Sequence, residues 1–139
     1  MKRLRGLGIS LILVMGLGAI AGCRRAPVNN GKEVIEGSLD APARGSTMRE
    51  KGIVGGWAVA DSGVKRVGIY MDRQLVQYTA PDVKREDIVK IFPKAGMSGW
   101  TVMLDVSRAA DGNHEIMAKV ESNSGNVREF GPVPFQITH

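Results

Sequence analysis

The chain has 139 residues, a formal charge of +5 and one cysteine, Cys23. This length is that of about one domain, and a single cysteine excludes a disulfide framework within the chain. Without residues 1–22, which hold Lys2, Arg3 and Arg5, 16 basic side chains face 14 acidic ones, so the composition gives no reason to expect a nucleic-acid partner.

The first 22 residues have the composition of a secretory leader. Three basic residues at positions 2, 3 and 5 precede an uncharged run, residues 6–22, that is rich in Leu, Ile and Val. The run ends in IAGC at residues 20–23, which resembles the lipobox of bacterial lipoproteins. The resemblance implies that residues 1–22 are cleaved, and that Cys23 carries a thioether-linked diacylglyceryl group and an amide-linked acyl chain such as palmitate. Two or more chains make such an anchor lasting.

Two other interpretations of the leader remain open. Ordinary cleavage after residue 21 would release a soluble protein with a thiol near its N-terminus. An uncleaved membrane helix is the other, although the 17 residues of the run fall short of the roughly 20 that a span needs. Arg24 follows the cysteine where Asp would resemble an inner-membrane retention signal, so the analogy favours the outer membrane of a cell that has one. We therefore expect a lipid-anchored protein of the cell envelope.

Residues 23–32 are predicted to be a tether between the anchor and a domain at residues 33–139. The segment is polar, contains Pro27 and Gly31, and shows no apolar periodicity.

The stretch 52–73 is predicted to be a β-hairpin around which the domain is organised. Residues 61–63 (DSG) supply a turn, and apolar residues alternate on both sides of it. The residues on the phase expected to face the core are Ile53, Gly55, Trp57, Val59, Val67, Ile69 and Met71. Tyr70 and Tyr78 then fall on outward phases.

Further alternating segments predict an all-β, Ig-like antiparallel β-sandwich of about seven strands. A weak first strand at 34–39 precedes a loop at 41–46, and a short strand follows at 75–78. The later strands carry Trp100, Val102, Leu104 and Val106, then Ile116, Ala118 and Val120, then Val133, Phe135 and Ile137. Pro132 and Pro134 confine the last strand to a sheet edge or a bulge.

A short helical insert is predicted near residues 82–92, crossing one end of the sandwich. Ile88, Val89, Ile91 and Phe92 fit one helical face, with Asp82 as the expected N-cap and Pro93 as the stop.

Residues 34–139 carry an ordered series of short motifs that is similar to the bacterial Ig-like domains of cell-surface and exported proteins. The motifs are PxxG (42–45), VGGWA (54–58), DSGV (61–64), VGIYMD (67–72), REDI (85–88), FP (92–93), SGW (98–100), LD (104–105) and DGNH (111–114). The resemblance implies an Ig-like sandwich. The chain departs from the pattern at Asp72-Arg73, where the family usually has Asp-Gly in a tight turn, and at Glu86, where it often has Pro.

Four residues are candidates for ligand binding: Tyr78, Arg85, Asp87 and Trp100. Trp100 stands at the start of an expected strand beside Gly99, where its ring could stack on a sugar, although it also shares the core phase of Val102. Arg85 and Asp87 lie in the insert and could read a carboxylate or sugar hydroxyls. The alternative is that they pair with each other or cap the insert.

Enzyme chemistry finds little support in the sequence. His114 and His139 are the only histidines, and no serine lies in a nucleophile-elbow context, so we expect no catalytic site, metal or cofactor. The sequence predicts a non-catalytic binding or structural module, with a carbohydrate-binding module and a small envelope hydrolase as alternatives. An exposed row of aromatics would favour sugar, an open edge strand would favour protein, and a cleft of carboxylates would favour an enzyme.

Overall fold

The computed structural model describes residues 33–139. The predicted cleaved leader, the lipid on Cys23 and the tether up to residue 32 lie outside the described residues. The elements are β1 (Ile35–Ala41), β2 (Thr47–Met48), β3 (Lys51–Ala60), β4 (Val64–Met71), β5 (Gln74–Thr79), β6 (Val83–Lys84), α1 (Glu86–Ile91), β7 (Met97–Asp105), β8 (Gly112–Ser122) and β9 (Val127–Ile137). Seven of these strands have six or more residues, as predicted, and β2 and β6 have two each.

Two sheets pack face to face, so the predicted all-β, Ig-like sandwich is confirmed. One sheet has the order β1-β3-β7-β6 and the other has β2-β9-β8-β4-β5. Neighbouring strands are antiparallel except for the two-residue parallel pair β2–β9. The side chains buried between the sheets include Val54, Val67, Ile69, Trp100, Leu104, Ile116, Val120, Phe135 and Ile137.

The predicted hairpin at 52–73 is wrong in its pairing. β3 and β4 belong to different sheets, so the turn at Asp61, Ser62 and Gly63 carries the chain across the sandwich. The turn itself is tight, since the Gly63 N–H donates to the Ala60 carbonyl at 2.9 Å. Alternation reports which residues share a face and says nothing about which strand lies beside them, so a crossing between sheets has the same pattern as a hairpin.

The inward phase of β3 is also the opposite of the one predicted. Val54 and Ala58 are buried, whereas Ile53 is 53% exposed, and Trp57 is only half-buried on the outer side. The prediction that Trp57 belongs to the core is therefore wrong. Both phases of this strand contain apolar residues, so periodicity alone could not choose between them.

The helical insert exists, but it lies against the outer side of the four-stranded sheet and does not cross an end of the sandwich. The ring of Phe92 contacts that of Trp57 at a centroid distance of 6.0 Å. Ile88 is buried without belonging to the core between the sheets. The N-cap is Arg85 rather than Asp82, because the backbone N–H of Asp82 donates to Gly99 and so extends the strand pairing.

Two irregular features, a tight turn after β4 and a bulge in β9, lie at the positions predicted from the sequence. Asp72 and Arg73 form the two-residue turn between β4 and β5, both with positive φ, although neither is glycine. β9 changes register against β8 between Phe130 and Val133, at the segment that contains Pro132, which confirms the predicted bulge.

Removal of one core hydroxyl is expected to stabilise the domain. The Oγ of Ser98 is fully buried and has no hydrogen-bond partner among the described residues. An unsatisfied hydroxyl costs free energy, so Ser98→Ala should raise the free energy of unfolding by about 1 kcal/mol. Ser122→Ala is the matched control, because Ser122 is equally buried but donates to Glu33 at 2.6 Å, and its loss should destabilise. Urea unfolding of both variants measures the difference; destabilisation by Ser98→Ala would contradict the assignment.

Candidate functional site

The four predicted ligand-binding residues lie in three separate places. Arg85 and Asp87 lie at the start of α1, beside the outer side of the four-stranded sheet. Tyr78 lies on the outer side of the five-stranded sheet, and Trp100 lies between the two sheets. They cannot contact one ligand together.

Trp100 is not available for stacking. Its side chain is 1% exposed. The expectation of exposure rested on a strand beginning at this residue, but β7 begins at Met97, so Trp100 lies inside the strand on its inward phase. This corrects the prediction that Trp100 contacts a ligand.

Arg85 is held by two carboxylates. Its Nε and Nη2 donate to the two oxygens of Asp87 at 2.9 and 2.7 Å, and its Nη1 donates to Asp40 of β1 at 3.1 Å. These hydrogen bonds lower the pKa of Asp87 to about 2 and raise that of Arg85. The cluster carries a net negative charge, and a carboxylate ligand would have to displace one of the present partners. The geometry matches the alternative in which Arg85 and Asp87 pair with each other.

Tyr70 and Tyr78 face outward, as predicted, on either side of Gly68. A Cβ at Gly68 would come within 2.9 Å of the Tyr70 ring and 3.2 Å of the Tyr78 ring, so both rings lean over the glycine. The guanidinium of Arg66 lies 4.2 Å from the Tyr78 centroid, and the ammonium of Lys119 lies 4.6 Å from that of Tyr70. Cations of the protein therefore already cover part of this aromatic surface.

β5 is an open edge strand with an apolar surface. It is the outermost strand of its sheet, and no other strand of the described chain pairs with its outer side. Leu75, Val76 and Tyr78 are 44%, 43% and 47% exposed, and the strand, QLVQYT, carries no charge. The register against β4 shifts around Val76, which forms a bulge. The strand was predictable from the sequence, but its edge position depends on pairing that periodicity does not report.

Glu33 forms a hydrogen-bond network that sequence reasoning missed. Its carboxylate accepts from the backbone N–H of Ser62 at 2.9 Å, the hydroxyl of Ser122 at 2.6 Å and the amide of Asn126 at 2.7 Å. The hydroxyls of Ser62 and Ser124 also donate to it. The pKa of Glu33 is held well below its usual range, chiefly by Asn126 and Ser122. These residues are far apart in the chain, so no local motif signals the network.

Each of the two histidines lies next to a carboxylate, and Nδ1 of His139 is 2.5 Å from Asp111. Nδ1 of His114 lies 2.5 Å from Asp72, and Nε2 lies 2.7 Å from the carbonyl oxygen of Ala110. The hydrogen bond to Asp72 raises the pKa of His114, and both ring nitrogens act as donors when the ring is protonated.

Residues 33–139 contain no group of three or more His, Cys, Asp or Glu side chains placed to hold a metal ion. Within the same residues, no helix has the length and apolar character to span a bilayer.

Substitution of Glu33 should change how stability depends on pH. Because the folded-state pKa lies below the ordinary value of 4.5, the carboxylate stabilises the fold above that pH. The contribution is lost as the pH falls, since the unfolded chain takes up the proton first. Glu33→Gln should therefore lower Tm at about pH 7 and flatten the fall of Tm towards about pH 3. Calorimetry measures both, with Glu36→Gln on β1 as control. An unchanged Tm at neutral pH would contradict the role of the network.

Comparison with known proteins identifies the fold and no family. No protein-family model matches the chain, and no curated protein matches it significantly. The fibronectin(III)-like modules of CbhA from Clostridium thermocellum share 14% identity, with 73% of this chain and 94% of that chain covered and a TM-score of 0.49.

The endo-β-1,4-mannanase from Thermotoga petrophila shares 13% identity over 76% of this chain, with a TM-score of 0.51. Only 20% of the mannanase chain is covered, and at this identity the likeness concerns the fold alone. The resemblance to bacterial Ig-like domains at the level of the family stays a prediction.

Proposed function

We propose that this chain is a lipid-anchored, non-catalytic module of the cell envelope that binds a protein partner along β5. The observation that carries the proposal is the open, uncharged edge of this strand. An edge strand offers a row of unpaired N–H and C=O groups to which an extended segment of another protein can add. The exposed side chains of Leu75, Val76 and Tyr78 would receive apolar side chains of that segment.

The contrast with the other long edge strand supports this choice. β1 carries Glu36, paired with Arg128 at 3.3 Å, and Asp40, paired with Arg85 at 3.1 Å. Charged side chains are a common protection of sheet edges against unwanted pairing. β5 has neither a charge nor a proline, and its bulge at Val76 is the only such protection that it carries. β5 is therefore the edge suited to a partner.

The anchor would strengthen a weak contact of this kind. A lipid on Cys23 confines the domain near the membrane, because the ten residues from Cys23 to residue 32 reach at most about 35 Å. Confinement raises the effective concentration of the domain towards any partner in the same envelope.

A carbohydrate-binding function is the second candidate. It rests on Tyr78, which is 47% exposed beside Tyr70. Three of its four predicted residues do not support it, because Trp100 is buried in the core and Arg85 and Asp87 form an ion pair with each other. The part of the chain that the structure describes offers no residue set for the hydrolase alternative.

A charge on β5 should abolish partner binding. Intact cells are treated with an amine-reactive cross-linker and the wild-type protein is purified. One discrete partner protein should be found cross-linked to it. Val76→Glu should reduce its recovery by about tenfold or more, because the carboxylate would be desolvated against an apolar segment. Val127→Glu is the matched control, because Val127 is 58% exposed on another strand of the same sheet and should leave recovery unchanged.

Three results would contradict binding of a protein partner along β5. Equal recovery with Val76→Glu would show that β5 is not the contact. A cross-linked product that contains only this chain would show that the contact is made with a second copy of the chain and not with another protein. Retention by cell-wall glycan, lost in Tyr78→Ala and with no protein recovered, would favour the carbohydrate alternative.

A further inference from the structure

The end of the domain at which the preceding chain enters has a groove with an apolar rim. The groove has a volume of about 810 Å³ and lies between the turn that joins β3 to β4 and the segment that follows α1. Its rim carries Val34, Ile91 and Met97, which are 49%, 68% and 59% exposed. Ile91 and Met97 are the two most exposed large hydrophobic side chains among residues 33–139. Exposed apolar side chains gathered in this way mark an interaction surface.

The start of the described chain lies beside this rim. Val34 follows Glu33 directly, and the hydrogen bonds of Glu33 to Ser122 and Asn126 hold this point to the β8–β9 turn. The backbone N–H of Val34 also donates to Asp61 at 3.0 Å. Cys23 is ten residues before Glu33, and ten residues span at most about 35 Å when fully extended, so an anchor at Cys23 would keep Glu33 within that distance of the bilayer surface.

The charges near the rim fit an anionic surface. Lys90 and Lys94 lie exposed in and after α1, with Lys94 in the groove lining. The carboxylates of Glu33 and Asp61 lie at the same end and keep their negative charge, but both accept hydrogen bonds from backbone N–H groups of the domain. Residues 33–139 hold 13 basic and 14 acidic side chains, so the positive excess of the chain lies before the domain, with Arg24, Arg25 and Lys32 in the tether. Basic residues next to apolar ones favour the interface of a bilayer with anionic lipids.

We propose that this rim docks the domain on the lipid bilayer. The side chains of Val34, Ile91 and Met97 enter the interfacial region, and Lys90 and Lys94 lie against anionic headgroups. The inference rests on the proposed anchor at Cys23, which brings the membrane within reach. The contact would hold the domain by one end in a defined orientation.

Two methionines on the same strand allow a matched test. Met97 and Met103 lie on the outward phase of β7 and are 59% and 58% exposed, but only Met97 lies at the rim. Six residues separate them, or about 20 Å along a strand. A lipid-linked Cys23 has no reactive thiol, so Met97→Cys or Met103→Cys supplies the only site for an environment-sensitive fluorophore in the lipidated full-length mature protein.

The labelled proteins are reconstituted into vesicles of phosphatidylethanolamine and phosphatidylglycerol. The label at position 97 should show blue-shifted emission and quenching by nitroxide-bearing lipids, and the label at 103 should show neither. Lys90→Gln with Lys94→Gln should weaken the signal at 97.

Equal, solvent-like emission at positions 97 and 103 of protein that floats with the vesicles would overturn the docking and leave the anchor intact. A signal at 97 that grows with the protein-to-lipid ratio would assign the rim to a second copy and also overturn it. Failure to float would contradict the anchor itself.

Discussion

The buried ring of Trp100 lies between the sheets, opposite a strand that presents small side chains to the core. Trp100 lies directly opposite Gly56 in the pairing of β7 with β3, and both face the core. A Cβ at Gly56 would collide with the backbone carbonyl of Ser38 on β1. Position 56 therefore admits no side chain. β3 presents Val54, Gly56 and Ala58 inward, and its largest side chain, Trp57, lies on the outer side. The core is filled by a large residue from one strand and small ones from the next.

The insert follows from that orientation. A tryptophan on the outer side of a sheet exposes a large apolar surface unless another element covers it. Phe92 contacts the ring, Ile88 is buried beside the sheet, and Arg85 joins the start of the helix to Asp40 across the sheet. The pair Arg85–Asp87, which looked like a ligand site in the sequence, is thus a fastening of the insert. The other end of α1, with Ile91, and the residues that follow it line the groove beside the turn between β3 and β4.

The sequence predicted best where only one phase of a strand is apolar. In β8, Ile116, Ala118 and Val120 share one phase, the opposite phase is polar or charged except for Met117, and all three are buried as expected. β3 has apolar residues on both phases, so alternation could not determine its orientation. Alternation also does not report which strands pair. It therefore predicts a hairpin at residues 61–63, where the chain crosses between the sheets, and it does not predict that β5 is an open edge.

The candidate sites were harder to predict than the fold, because their chemistry depends on distant neighbours. The sequence offered the pairing of Arg85 with Asp87 as an alternative, and the structure has this pair. It did not indicate the third member of the cluster, Asp40, which is 45 residues away from Arg85. The Glu33 network joins residues separated by up to 93 positions. No spacing rule connects such residues before the sheets are assembled.

A lipid on Cys23 is the feature on which the proposed localisation and the membrane docking both depend. Mass spectrometry of the N-terminal peptide of the protein purified from cell envelopes tests it directly, with Cys23→Ser as the comparison. The wild type should begin at Cys23 and carry the mass of a diacylglyceryl group and an acyl chain, and Cys23→Ser should lose this modification and leave the membrane fraction. An N-terminus at any other residue, or an unmodified Cys23 in a soluble protein, would contradict a lipid-anchored module.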